Sequence, residues 1–163
     1  MAESNKILTI SESEGQKLSI AGGAYRIVVS GKQTGGTFAV IEMSVPPGAG
    51  PNPHSHAGFE ESFFVLEGEI SFRSEDGNYI AKQNSFISIP KGGTVHGFKN
   101  LSNTHAKLLC TVIPAGLDEF FQEVSGFMEV AKKGSYNDAE IKENLDSISG
   151  KYGQKLYAPD YLD

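Results

Sequence analysis

Two stretches decide the fold of this chain: GAGPNPHSHAGFEESFFVLEG, residues 48–68, and PKGGTVHGFKN, residues 90–100. Together they hold three of the chain's four histidines and one key carboxylate: His54, His56, His96 and Glu61. His54 and His56 are two positions apart, so on a β-strand both imidazoles point to the same face. Neutral imidazole and carboxylate groups suit a divalent transition metal. The pattern therefore predicts a metal site built from these four residues.

The acidic member of the site has to be chosen between two neighbours. Glu60 and Glu61 are adjacent, so they face opposite sides of any strand. Glu61 shares its parity with the apolar residues Phe63 and Val65, which favours Glu61 as the inward group and places Glu60 outside. The fourth histidine, His105, lies in a polar loop outside the pattern, and we expect it to be exposed.

Short apolar runs separated by turns fill the chain up to about residue 113. Runs rich in β-branched and aromatic residues predict strands, and the Gly, Pro and Asn pairs between them predict tight turns. The predicted strands are residues 25–30, 37–45, 61–66, 69–73, 79–81, 86–89, 96–99 and 106–113. This many short strands with such regular turns indicates an all-β sandwich or barrel.

The composition changes after Pro114, where apolar residues recur at helical spacing. One stripe begins at Leu117 and stops before Gly134, and a second helix is predicted from Asn137 or Asp138 to a stop at Gly150. We expect both helices to pack against the outside of the sheet. The alternatives are that they cover one mouth of the barrel or form a dimer contact. The tail from residue 151 to 163 has no regular period and stays unassigned.

Length, charge and cysteine content narrow the class of protein. The 163 residues suit one domain plus a modest extension: an N-terminal strand segment at 1–20, a barrel at 21–115, and a helical extension with its tail at 116–163. The net charge of −6 argues against a nucleic-acid partner. Cys110 is the only cysteine and lies in an apolar run, which favours a buried core thiol and a cytosolic location. With neither a bilayer-length apolar stretch nor a signal-peptide pattern, a cytoplasmic protein without membrane contact is predicted.

The two histidine stretches resemble the paired motifs of the cupin superfamily of small β-barrels. The matching positions are Gly48, His54, His56, Glu61 and Gly68 in the first motif, and Pro90, Gly92, His96 and Asn100 in the second. Two departures alter turns rather than ligands. Asn84 stands where the second motif usually opens with glycine, and one extra residue precedes His96. The resemblance implies a single all-β cupin barrel of the jelly-roll, double-stranded β-helix type, followed by the two C-terminal α-helices.

Within the superfamily, the chain is similar to single-domain proteins described as quercetin 2,3-dioxygenase-like cupins. That resemblance implies one divalent transition-metal ion (Fe, Mn, Ni, Zn, Co or Cu) bound by His54, His56, His96 and Glu61. It implies a metal-dependent dioxygenase acting on a small aromatic, flavonoid or enolic compound, with Glu61 also acting as the catalytic base. The parity of Phe63 and Phe98 predicts an apolar substrate wall, to which Met43 or Ile41 would add, although the same residues could be barrel core.

Two other functions stay open at this point, because a fold alone does not determine a function. One is a cupin isomerase or lyase, and the other is a non-catalytic protein that binds or senses a small ligand. A homodimer is implied by the resemblance, and residues 6–10 and 17–20 are candidates for strands at its edge.

Overall fold

The structure, a computed structural model, describes residues 6–163. Strands dominate these residues up to position 113, and two helices and one last strand follow. In chain order the elements are β1 (Gln16–Ile20), β2 (Gly23–Val29), β3 (Ala39–Val45), β4 (His54–His56), β5 (Glu60–Glu67), β6 (Glu69–Ser74), β7 (Gly77–Lys82), β8 (Phe86–Ile89), β9 (His96–Lys99), β10 (Ala106–Ile113), α1 (Leu117–Lys133), α2 (Asp138–Lys151) and β11 (Gln154–Leu156).

The strands form two antiparallel sheets that face each other as a jelly-roll sandwich. One sheet has the order β1-β2-β3-β10-β5-β8, and the other has the order β11-β4-β9-β6-β7. The predicted all-β barrel with two C-terminal helices is therefore confirmed. None of the helices within residues 6–163 combines the length and the apolar character needed to cross a membrane.

Alternation along the strands places the core between the sheets. In β3 every odd-numbered residue is buried, and in β5 Glu61, Phe63 and Val65 are buried while Glu60 and Phe64 are exposed. Each apolar side chain buried in this way contributes about 1.5–3 kcal/mol. The same period-2 rule that builds the core therefore turns Glu61 into the interior, as its parity predicted.

Turn residues explain why the departures from the cupin motif are tolerated. Asn84 has a φ of 69°, a left-handed conformation that glycine adopts most easily and that asparagine tolerates better than other residues. Gly92 and Gly93, which belong to the turn that carries the extra residue before His96, both have positive φ. The chain thus makes the turns of the motif with slightly different residues.

The two helices begin where the sequence predicts. Gly116 and Gly134 flank α1, and α2 starts at a capping box in which the Asn137 side chain and the Glu140 side chain each accept a backbone N–H. The predicted stop at Gly150 is wrong by a short distance, because α2 includes Gly150 and ends at Lys151.

The two ends of the described chain differ from the expectation. Residues 17–20 lie in β1 at a sheet edge, whereas residues 6–10 form no strand. The C-terminal tail, which sequence reasoning left unassigned, folds back onto the sheet that carries the histidines. There β11 pairs with all of β4, and the Tyr157 N–H donates to the Pro53 carbonyl at 3.0 Å. Arg73 then holds the last residues through the Leu162 carbonyl and the Asp163 carboxylate.

Candidate metal centre

The four residues predicted from the motifs lie together between the two sheets. His54 and His56 are on β4, His96 begins β9, and Glu61 reaches across from β5 in the opposite sheet. His54 and His96 are directly paired across β4 and β9. The candidate donor atoms of all four residues lie within 4.8 Å of one another. Residues far apart in the chain therefore form a single cluster on a rigid frame.

Each imidazole in the cluster is held by the backbone through its Nδ1 atom. A carbonyl oxygen only accepts hydrogen bonds, so each of these Nδ1 atoms carries a proton and donates it. The acceptors are the carbonyl oxygens of Asn52 for His54 at 2.9 Å, Thr94 for His96 at 2.9 Å and Phe59 for His56 at 3.3 Å. This arrangement leaves each Nε2 free for another partner, and it is the usual support for a metal-binding histidine.

Glu61 is the charged centre of the cluster. Its Oε2 atom lies 3.0 Å from the His56 Nε2 and 3.5 Å from the His96 Nε2, and its Oε1 atom accepts the Cys110 thiol at 3.3 Å. Burial by itself would raise the pKa of Glu61, but the close imidazoles of His56 and His96 outweigh it, and the net pKa lies well below its ordinary value. Glu61 is therefore an ionised carboxylate at neutral pH.

The electrostatics of His54 also suit a ligand. Burial lowers its pKa from 6.5 to about 4, and the neighbouring His96 acts in the same direction. The negative charge of Glu61 raises the pKa of His54, but this effect is smaller than those of burial and of His96. His54 is therefore neutral at pH 7, and the neutral imidazole is the form that binds metals.

A separate observation also indicates that the cluster is suited to a metal ion. The Nε2 atom of His96 is buried and has no hydrogen-bond partner among the described residues, which is costly unless a further group satisfies it. Two bonds from one ion at about 2.1 Å span at most about 4.2 Å, so a donor pair 4.8 Å apart would have to close by at least about 0.6 Å. Three imidazoles and one carboxylate suit several divalent transition metals, so the cluster could hold one ion of this class.

A cavity of about 300 Å³ opens from this cluster towards the helices. His54, His56 and Glu61 form one part of its wall. The predicted wall residues Met43, Phe63 and Phe98 all line it, whereas the alternative Ile41 is buried in the core and is not part of the lining.

Both C-terminal helices contribute to the cavity, which revises the expectation that they only pack on the outside of the sheet. Phe120, Phe121 and Val124 of α1 and Leu145 of α2 line the same cavity as His54, His56 and Glu61. The apolar stripe of α1 therefore packs against β1 and β3, as expected, and also forms part of the cavity wall.

Sequence reasoning missed four polar residues of the cavity wall: Tyr25, Asn52, Ser149 and Gln154. Tyr25 lines it from β2 and packs edge-on against Phe121 at 5.3 Å between ring centroids. Burial raises the pKa of Tyr25, and Cys110 and Glu61 add to the effect, so its phenol stays protonated. Gln154 lines the cavity from β11. The period-2 pattern around Tyr25 could have placed it inward, but no local pattern marks Gln154.

The residues that sequence reasoning set aside lie where it placed them. Glu60 is exposed and accepts the Ser88 hydroxyl at 3.5 Å, and His105 is exposed. Cys110 is fully buried, as predicted. Burial, together with the charge and hydrogen bond of Glu61, raises its pKa well above the ordinary value, so Cys110 is a protonated thiol. Its hydrogen bond to Glu61 nevertheless places it against the cluster, which the sequence did not indicate.

Comparison with known proteins agrees with the motifs. A family model described as "Cupin domain" matches residues 41–112. A quercetin 2,3-dioxygenase from Bacillus subtilis is 26% identical over 113 residues, which cover 69% of this chain and 33% of that protein. An uncharacterized protein from Methanocaldococcus jannaschii is 30% identical over 76 residues, 47% of this chain and 60% of that protein. The chain thus spans about a third and about three fifths of the lengths of these two curated relatives.

Among solved structures, a predicted oxalate decarboxylase from Thermotoga maritima has the same fold. Its TM-score is 0.58 at 23% identity, and the match covers 66% of this chain and 99% of that chain. The family match overlaps the strands that carry both halves of the histidine cluster. The paired motifs, the two-sheet barrel and this match over residues 41–112 together support assigning this part of the chain to the cupin superfamily.

Proposed function

We propose that this protein is a metal-dependent dioxygenase that acts on a small aromatic, flavonoid or enolic compound. The proposal depends on one observation: three imidazoles and one carboxylate converge on one point, and three of these four residues, His54, His56 and Glu61, line a mostly apolar cavity. A volume of about 300 Å³ lies at the small end of the range for pockets that bind small molecules. The similarity to a quercetin 2,3-dioxygenase supports the oxygenase class.

In this proposal His54, His56, His96 and Glu61 hold one divalent ion (Fe, Mn, Ni, Zn, Co or Cu). The bound ion would polarise the substrate oxygen as a Lewis acid and, when redox-active, support reaction with dioxygen. The backbone carbonyls that hold the Nδ1 atoms keep the three rings in place before any ion arrives.

Glu61 has a second proposed role as the base that takes the proton of a substrate enol or phenol. It is ionised at neutral pH and lies on the cavity wall, so it can accept a proton from a substrate hydroxyl. Met43, Phe63 and Phe98 are the proposed apolar contacts of the substrate. The T-shaped pair of Phe63 and Phe98, with ring centroids 5.6 Å apart, offers an aromatic surface for a flat ring.

The metal site is tested by elemental analysis of protein purified without an affinity tag. We expect close to one equivalent of a transition metal in the wild-type protein and a large loss in His56→Ala. His105→Ala is the matched control, because it removes an exposed histidine outside the cluster. Equal metal content in the wild type and His56→Ala would refute the site.

The dioxygenase activity is tested with an oxygen electrode after reconstitution with iron, manganese, nickel or cobalt. Quercetin, 3-hydroxyflavone and acetylacetone cover the flavonoid and enolic classes. With an active metal, Glu61→Gln should lower turnover about 100-fold or more, the usual effect of removing a general base, and its metal content is measured in parallel. Absence of oxygen uptake with these four metals and with copper, the other redox-active candidate, would refute the proposal. Turnover without oxygen would instead favour an isomerase or lyase, and tight binding without turnover would favour a ligand-binding protein.

The proposal also includes a homodimer. The edge strands β1 and β8 of the six-stranded sheet have one free edge each within the described chain, and such edges are usually paired or covered. Sedimentation over a range of protein concentrations should show a dimer, and a monomer at every concentration would contradict it.

A further inference from the structure

The C-terminal strand β11 places a polar side chain inside the cavity. In antiparallel strands, residues directly opposite each other point to the same face. Gln154 is opposite His56, and Leu156 is opposite His54. Both Gln154 and Leu156 therefore share the face of the candidate ligands, and both line the cavity. Gln154 is buried, whereas Leu156 is 41% exposed.

Gln154 has an unsatisfied hydrogen-bonding group. Gln154 is 8% exposed, and its Nε2 atom is buried without a hydrogen-bond partner among the described residues. A buried amide without a partner costs about 1–3 kcal/mol relative to an apolar group of the same shape. The rest of the cavity wall near the helices is mostly apolar, so packing does not explain the presence of an amide there.

We infer that Gln154 is a substrate-binding residue whose side-chain amide hydrogen-bonds to an oxygen of the molecule in the cavity. This inference rests on the proposed function and deepens it. A substrate with one oxygen at the histidine cluster needs a second oxygen within reach of Gln154. An amide carries both N–H donors and a carbonyl acceptor, so it pairs with a carbonyl or a hydroxyl.

The substrate class that follows is a compact, largely apolar molecule with two neighbouring oxygens, such as an enolic ketone or a ring with a hydroxyl beside a carbonyl. The apolar remainder would lie against Phe63, Phe98 and the α1 stripe. A molecule with a single oxygen would satisfy the cluster but leave the Gln154 amide unpaired, and a cavity of this kind discriminates against such molecules.

The test compares the wild type with Gln154→Leu, which keeps the size of the side chain and the backbone pairing of β11. Both proteins are loaded with zinc, which is redox-inert and leaves the probe intact. They are titrated with 3-hydroxyflavone, which has adjacent hydroxyl and carbonyl groups, and with flavone, which lacks that hydroxyl. Binding is followed by the fluorescence of the first probe and by calorimetry for both, and zinc content is measured before and after. Gln83→Leu is the matched control, because it makes the same chemical change at an exposed residue outside the cavity.

We expect 3-hydroxyflavone to bind Gln154→Leu about 10- to 100-fold more weakly than the wild type and Gln83→Leu, with unchanged zinc content. The ligand-free Gln154→Leu protein should have an equal or higher melting temperature, because an unpaired buried amide has been removed. Equal affinity in the two proteins, or a clear loss of stability in Gln154→Leu, would overturn the inference and leave the proposed function standing. Failure of the wild type to bind 3-hydroxyflavone would refute both the substrate class and the role of Gln154.

Discussion

Replacing His54 by glutamine should flatten the pH dependence of stability of the metal-free protein. In the folded state burial lowers the pKa of His54 to about 4, against an ordinary value of 6.5. Between these values the unfolded chain binds a proton at residue 54 and the folded chain does not. Stability therefore rises as the pH increases from about 4 to 6.5 and levels off above that window.

The size of the effect follows from the two pKa values of His54. Each pKa unit corresponds to about 1.4 kcal/mol, so the full effect is about 3 kcal/mol. Most of it, about 2.5 kcal/mol, should be lost between pH 7 and pH 4.5. The depressed pKa of Glu61 has its effect at lower pH, because that carboxylate loses its stabilising role only below the ordinary range for glutamate.

The assay is urea unfolding followed by circular dichroism from pH 4.5 to 7.5 after removal of metal with a chelator. The wild type should lose about 2.5 kcal/mol more stability over this range than His54→Gln. His105→Gln leaves the cluster intact and should retain the wild-type slope. A His54→Gln curve parallel to the wild-type curve would show that His54 takes up its proton equally in both states and would refute the reasoning.

Three further substitutions test the support of the site. Asn100 is fully buried, and its side-chain amide donates hydrogen bonds to two backbone carbonyls. Asn100→Ala should therefore lower the free energy of unfolding by about 2–4 kcal/mol in urea titrations. A change below about 1 kcal/mol would contradict this expectation. Gly50 has a φ of 150°, and an added Cβ would overlap the Phe98 carbonyl oxygen. Gly50→Ala should therefore lower the free energy of unfolding by about 1–3 kcal/mol or more. An unchanged melting temperature would count against the packing described. Phe59 stacks on His56 at 4.0 Å, so Phe59→Leu should weaken zinc binding roughly 2- to 10-fold in competition with a chelator, and equal affinity would exclude a role for the stacking.

The strands and the histidine cluster were predictable because local rules determine them. Period-2 alternation set the inward face of β5, and it turned Glu61 rather than Glu60 towards the interior. Proline and glycine marked the turns, so the bounds of β8, β9 and β10 match the predicted ranges. Each of these features depends on residues within a few positions of one another.

The cavity could not be predicted in the same way, because long-range pairing creates it. An apolar stripe on a helix has the same sequence pattern whether it packs on a sheet or covers a cavity, so the face of α1 was ambiguous. Gln154 follows His56 by about a hundred positions, and β11 is only three residues long with no periodic flank. Only the paired structure shows that this short segment lies beside the candidate ligands.

The tail has a consequence for the histidine cluster as well as for the cavity. All three residues of β4 pair with β11, whereas only His54 pairs with β9 on the other side. The strand that carries two candidate ligands is therefore held mainly by the C-terminal segment, and the side chains of that segment face the ligand space. Backbone changes in β11 should therefore disturb metal binding and substrate binding together. A side-chain change such as Gln154→Leu keeps the strand pairing, so it should alter the choice of substrate and leave the metal in place.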